Sequence, residues 1–488
     1  MSALVVHAVA LDELPVLEPR AWRNWVKGEL LQGSRPVMLW GRRVDAGVEV
    51  SVALQRADRG LDVLRTTVDP AHGYFALTEV ALALHGCERE LHETLGVRLT
   101  GHPWLKPLRH HGQTQAEMAA YPYYRLDGKC VHEVAVGPIH AGVIEPGSFR
   151  FQCSGELVHH LEIQLGYQHR GVEALLDRGD PRRAVPLVET IAGDASVAHA
   201  WATCAALERL AGVTLAPEVE LARATLLELE RVAMHLAGLA GLATDVGFVP
   251  GASTYGRLRT TAINTTMRLC GSRFGRGALH PGGVAITPDP AAVAAAVALL
   301  TAHGATADAC FFGSRVVQHR LQGVGALTTA QAQQIGLVGP AARACGVALD
   351  QREGAGGAYA ARPIAVTTEP SGDCWARARM RGRELTASLA WLADAAPALT
   401  AVPARQPPGQ PVGALAPSHL VLALAESWRG EVVHALETDA AGRVVRHKVQ
   451  DPSLRNWLGL ALGMRDNEIS DFPICNKSYD LSYCGNDL

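Results

Sequence analysis

The chain is poor in aromatic residues and in charge: Phe, Trp and Tyr make up 5% of it, and Asp, Glu, Lys and Arg 19%. Its formal net charge of −3 gives no argument for nucleic acid as a partner. The cysteines stand singly at 87, 130, 153, 204, 270, 310, 345, 374, 475 and 484, with no C-x-x-C pair among them. That spacing argues against a zinc ribbon, a cluster ligated by this chain and a disulfide scaffold, and fits reduced, mostly buried thiols in the cytoplasm. Long hydrophobic runs are missing too: Ala291 to Leu300, the most apolar stretch, is about half of the roughly 20 residues that span a bilayer. Met1 to Val16 has neither a basic leader nor a small-residue cleavage site, so no targeting segment is expected.

What is present is enough apolar material, 48% of 488 residues, for two or three domains and a large core. The expected class is α+β. A small α/β N-terminal domain (1–110) and a linker (111–130) precede a mostly helical body with a small β portion (131–488). Alternation in Gly47 to Leu54 predicts a strand. Helical spacing is read over Leu157 to Arg178, Ser196 to Leu210, Pro217 to Ala240 and Arg257 to Leu269, with Glu228, Glu230 and Arg231 marking a polar side. Pro403 to Pro417 reads as a loop. Strands at Leu420 to Leu424 and Glu431 to Leu436, a turn at Asp439 to Gly442 and a helix at Leu454 to Leu462 follow.

Several segments, in order, carry a family resemblance. Gly86 to Val97 followed by Gly101-His102-Pro103 resembles the signature of the 30 kDa subunit of complex I, although an acidic helix ending at Gly96 reads the same residues. Val136 to Phe151, Gly166 to Glu173, Leu227 to Leu236, Tyr255 to Arg259 and Arg273 to Gly283 resemble the large subunit of membrane-bound energy-converting (formate-hydrogenlyase-type) nickel-iron hydrogenases and the 49 kDa subunit of complex I. Glu189 to His199 resembles the family's R-I-C-G-x-C-S-V-A-H segment, with Ala192 and Ala195 at the cysteine positions. Asp480 to Leu488 resembles its D-P-C-x-x-C segment, with Ser482 and Gly485 at the cysteines and Cys484 one residue out of register. A nickel-iron centre needs four thiolates, and an alanine methyl has no lone pair, so the resemblance implies the fold without the metal.

The resemblance also points to candidate site residues. Glu145 matches a proton-relaying glutamate, or is an exposed turn residue. His140 stands where the complex I relatives have a quinone-pocket loop, or caps a buried loop. No tyrosine occurs from Gly171 to His199 and Ala200 follows His199, which places quinone reduction there in doubt. Asp194 and His199 are read as a proton-handling pair, with a salt bridge to an arginine or a helix N-cap by Asp194 or Ser196 as alternatives. Arg429 matches an arginine that faces the iron's ligands, or serves as an ion-pair residue. Arg170 matches an element packed on the cluster-bearing small subunit, where it tunes the cluster or pairs with Glu173.

Together these imply a fused, peripheral-arm subunit of a membrane-bound respiratory or energy-converting complex that couples electron transfer to proton or ion translocation. It would bind no cofactor itself. The iron-sulfur cluster would sit in a small subunit, beside a ferredoxin-like subunit and antiporter-like membrane subunits, with quinone and NAD binding expected of such complexes. The chain would reach the cytoplasmic face of the inner membrane only through those partners. A quinone-reducing subunit using the remodelled cavity and a working nickel-iron hydrogenase are the alternatives.

Overall fold

The computed structural model describes residues 3–110, 112–140, 144–177, 180–400 and 413–488. Its helices and strands make an α+β protein. The N-terminal sheet runs in the order Val16–Leu17, Leu61–Val68, Gly47–Gln55, Arg35–Val44. The helices Pro19–Leu31 and His85–Leu95 close a core of Trp22, Val26, Val48, Val50 and Leu91 on it. The first strand, Val5–Ala10, does not join this sheet. It pairs antiparallel with His419–Ser427, at the edge of a sheet continued by Gly430–Thr438 and Val444–Gln450. Val37, Met38 and Trp40 then meet Leu420, Leu422 and Val433 in a core shared by the two sheets, so the ends of the chain fold against each other.

The helical body centres on Pro217–Asp245, packed between Val249–Cys270 and Cys374–Ala395. Glu228, Glu230 and Arg231, expected on a polar side, are buried instead. Glu228 receives hydrogen bonds from Arg352 (3.0 Å), Tyr359 (2.7 Å) and Ser388 (2.5 Å). Arg231 and Arg343 share the Glu384 carboxylate at 2.5 and 2.8 Å, and Arg343 also reaches Glu426 at 2.9 Å. Gln351 extends the network to Glu426 (3.0 Å) and Glu431 (2.5 Å), where Arg35 of the N-terminal sheet joins. Buried charges are tolerated only when paired in this way.

Two further expectations change. Leu157 to Arg178 is not one helix: Leu157–Gln164 is a strand paired with Ser148–Ser154, and among the described residues of this stretch a helix covers Val172–Asp177. A register shift between Val158 and His160 brings Val158, Leu161 and Leu165 to the same buried side at helix-like spacing. The apolar run at Ala291 lies in a longer helix, Pro290–Phe312, whose 23 residues meet the length and composition of a membrane span, with 33% of its apolar window buried. Of the loop read at 403–417, residues 403–412 lie outside the described ones.

Candidate functional site

The Glu189–His199 segment and the C-terminal segment meet at one polar cluster, into which a hairpin tip reaches. Strands His419–Ser427 and Gly430–Thr438 are joined by the two-residue turn Trp428-Arg429. Gly430 closes that turn at φ +130°, and a Cβ there would stand 2.7 Å from the Gly339 nitrogen, so glycine is required. Arg429 grips Asp194 with two hydrogen bonds, 2.6 and 2.8 Å, and donates through Nε to the Asp480 carbonyl at 2.5 Å. Its guanidinium lies 3.9 Å from the Trp428 ring centre, and Trp428 Nε1 donates to the Asp194 carbonyl at 2.9 Å. The bidentate pair makes Arg429 the ion-pair residue among the readings of the sequence.

Asp194 and His199 are not a pair. His199 turns the other way, its Nε2 3.2 Å from Asp451 and its Nδ1 3.0 Å from His434 Nε2. Neither Asp194 nor Ser196 caps the Ser196–Leu210 helix, because the Ser196 hydroxyl donates to the Glu189 and Gly193 carbonyls, both at 3.1 Å. The N-terminus is served instead by Glu230 from the neighbouring helix, which accepts from Val197 N–H at 2.7 Å.

The pairing of His199 opens a buried line of imidazoles that no local pattern announces. His434 Nδ1 lies 2.9 Å from His447 Nε2 and 3.2 Å from the Thr203 hydroxyl. All three histidines and Asp451 are buried. Burial pushes His447 down to about 3 and His434 well below the ordinary range, so both rings are neutral. For Asp451, His199 and Arg429 outweigh burial and hold the carboxyl below its usual value. One tautomer of the two neutral rings then fits the line: the His434 Nε2–H faces His199 Nδ1 and the His447 Nε2–H faces His434 Nδ1. Beside the far ring, the backbone N–H of His447 donates to Asp177 at 2.6 Å, a partly exposed carboxylate.

Glu145 is half-buried against Cys484, Arg429 and Asp194, and its Oε2 has no hydrogen-bond partner among the described residues. Burial pushes its carboxyl above the ordinary glutamate range; Arg429 opposes the rise and Asp194 adds to it. His140 is exposed five positions earlier, just before residues 141–143, which lie outside the described ones. Arg170 is exposed and donates to the Thr190 carbonyl at 2.9 Å. Glu173, offered as its partner, belongs to Lys448 (2.8 Å) and Arg446 (3.3 Å).

Ala192 and Ala195 are buried in the main hydrophobic core. Ser482 caps the final helix, its hydroxyl accepting from Gly485 N–H at 2.9 Å. Gly485 lies under Asp451: a Cβ there would come within 2.6 Å of the Asp451 carboxyl carbon. Gly485→Cys is therefore expected to destabilise the chain by about 1–3 kcal/mol through overpacking, read as a lower denaturant midpoint. An unchanged midpoint would show that Asp451 yields freely. Among the described residues, no three His, Cys, Asp or Glu side chains gather around a common metal position.

Known proteins resemble the chain over this same body. Residues 245–408 match the family model described as "Respiratory-chain NADH dehydrogenase, 49 Kd subunit". The carbon monoxide-induced hydrogenase of Rhodospirillum rubrum is 29% identical, over 72% of this chain and 97% of its own length. Hydrogenase-4 component G of Escherichia coli (strain K12) is 25% identical over 89% of this chain and 80% of its own. Among solved structures, a chain of the membrane-bound sulfane sulfur reductase, an archaeal respiratory membrane complex, shares the fold. Its TM-score is 0.68 at 22% identity, over 75% of this chain and 100% of that one. The chain is thus similar to subunits of membrane-bound hydrogenases and, over residues 245–408, to the 49 kDa subunit of the respiratory-chain NADH dehydrogenase.

Proposed function

We propose that the chain is a peripheral-arm subunit of a membrane-bound oxidoreductase complex, and that the polar cluster around Arg429 handles protons without a nickel-iron centre. The observation that carries this reading is the chemistry of this cluster: a bidentate Arg429–Asp194 pair, the half-buried Glu145, and Asp451 heading a buried line of three imidazoles. The four positions that the resemblance assigns to thiolates hold two methyl groups, a hydroxyl engaged as a helix cap and a glycine hydrogen packed on Asp451. That donor set does not fit nickel and iron, which call for soft sulfur ligands. Neutral histidines in series pass a proton by exchanging tautomers, without placing a lasting charge in the core.

In this reading the iron-sulfur cluster belongs to a small subunit that meets the exposed Arg170, and further soluble and membrane subunits supply the ferredoxin-like and ion-moving parts. Electron transfer in the partners would be coupled to proton movement through Glu145 and the histidine line, on the cytoplasmic side. The test is the complex purified through this chain. No stoichiometric nickel and no hydrogen turnover are expected, and Glu145→Gln should lower coupled turnover by about 10²-fold or more while Glu145→Asp retains part of it. Nickel bound one per chain, with hydrogen turnover, would overturn the reading.

A further inference from the structure

A cavity of about 540 Å³ lies between the His85–Leu95 helix, the Leu157–Gln164 strand and the Pro452–Gly463 helix, away from the cluster around Arg429. None of Glu145, Asp194, Arg429 or Asp451 lines it. Its volume falls within the range of small-molecule sites. Its interior is apolar, formed by residues such as Leu161, Leu165, Leu454 and Leu458. Two polar atoms of its lining, His85 Nδ1 and Trp457 Nε1, are buried and have no hydrogen-bond partner among the described residues. His85 is 6% exposed and Trp457 5%, so the structure leaves two hydrogen-bonding groups in a nearly dry wall.

The charge of the wall is one-sided. Arg89 and Arg465 line the cavity, and no aspartate or glutamate does. Arg89 is fixed: its guanidinium stands 4.4 Å from the Trp104 ring centre and donates to the Lys106 and Pro107 carbonyls at 2.5 and 2.8 Å. Arg465 is exposed. Burial, with Arg89 adding to it, pushes His85 down to about 3, which leaves that imidazole neutral and able to donate or accept. An occupant that suits these walls has an apolar body, at least one acceptor for the Trp457 N–H, and negative charge.

We propose that this cavity binds an anionic amphiphile, a long-chain carboxylate or an acidic lipid of the same character. Its apolar chain fills the leucine-lined interior, and its acidic head is drawn by Arg89 and Arg465. Polar atoms along it take up the hydrogen bonds that Trp457 and His85 leave open. Bound there, it would tie the N-terminal layer to the Pro452–Gly463 helix.

The test uses the full chain titrated with cis-parinarate, a fluorescent long-chain acid. Saturable binding at one site per chain is expected, displaced by oleate and not by oleyl alcohol. Ala461→Trp, which fills the cavity from a partly exposed position, should weaken binding about tenfold or more. Arg465→Gln should weaken the acid several-fold, and because Arg465 is exposed it keeps the test valid if Ala461→Trp fails to fold. Displacement by phosphatidylglycerol vesicles, but not by phosphatidylcholine vesicles, would assign an acidic lipid, and displacement by oleate alone the free acid. Absence of saturable binding, equal displacement by the alcohol, or unchanged affinity in a folded Ala461→Trp would each overturn the proposal.

Discussion

Glu384→Ala is expected to lower the stability of the chain by about 3–5 kcal/mol, the loss seen when one partner is removed from a buried ion network. Glu384 is 4% exposed and serves Arg231 at 2.5 Å, Arg343 at 2.8 Å and His235 at 3.3 Å. The two arginines fare differently without it. Arg343 keeps Glu426 at 2.9 Å, whereas Arg231 keeps only Glu228 at 3.6 Å and carbonyls such as that of Ser427 at 2.8 Å. Most of the cost therefore falls on Arg231, which is fully buried. Glu384→Gln should lie between the two proteins, since it keeps an acceptor and loses the charge.

Acid gives an independent reading of the same group. Burial alone would raise the Glu384 carboxyl, but Arg343, the hydrogen bond from His235 and Arg231 outweigh it and hold it well below the ordinary range. Because the folded value is depressed, its contribution is complete above the unfolded value near ~4.3 and is lost as pH falls towards the folded value. The gap in urea midpoint between the protein and Glu384→Gln should accordingly narrow on acidification. A loss below about 1 kcal/mol at neutral pH would contradict the network's role.

Much of the fold was legible because its signals are local. The helices Ser196–Leu210 and Pro217–Asp245 carry their spacing in their own residues, and so do the strands around Trp428. What could not be read locally depends on distant partners. Glu228 looks like a surface residue in its own helix, since the groups that bury it, Arg352 and Ser388, lie 124 and 160 residues away. The bulge after Val158 gave a strand the apolar spacing of a helix. In the site, Arg429 and Asp194 were found one by one and their pairing was not. His434, His447 and Asp451 left no signal at all, because each is an isolated residue in a strand or at a helix start until the fold sets it against His199.

Asp451→Asn separates a proton line from a merely structural cluster. The Asp451 carboxylate accepts from Ser453 N–H at 2.8 Å, capping the Pro452–Gly463 helix, and faces His199 Nε2 at 3.2 Å. An asparagine oxygen can accept from either group, so the fold should survive with a loss of about 0.5–2 kcal/mol. What asparagine cannot do is take up the proton that reaches it through His199. If the three imidazoles deliver protons to Asp451, coupled turnover of the assembled complex should fall by about 10²-fold or more, and its solvent deuterium isotope effect should change. Below neutral pH the variant should also lose part of the protein's sensitivity to acid, because the depressed Asp451 carboxyl contributes stability above its unfolded value near ~3.9 and loses it as pH falls. A variant with lowered stability but unaltered turnover and isotope effect would reduce the histidine line to packing. Full loss of turnover with unchanged folding would place Asp451 at its working end.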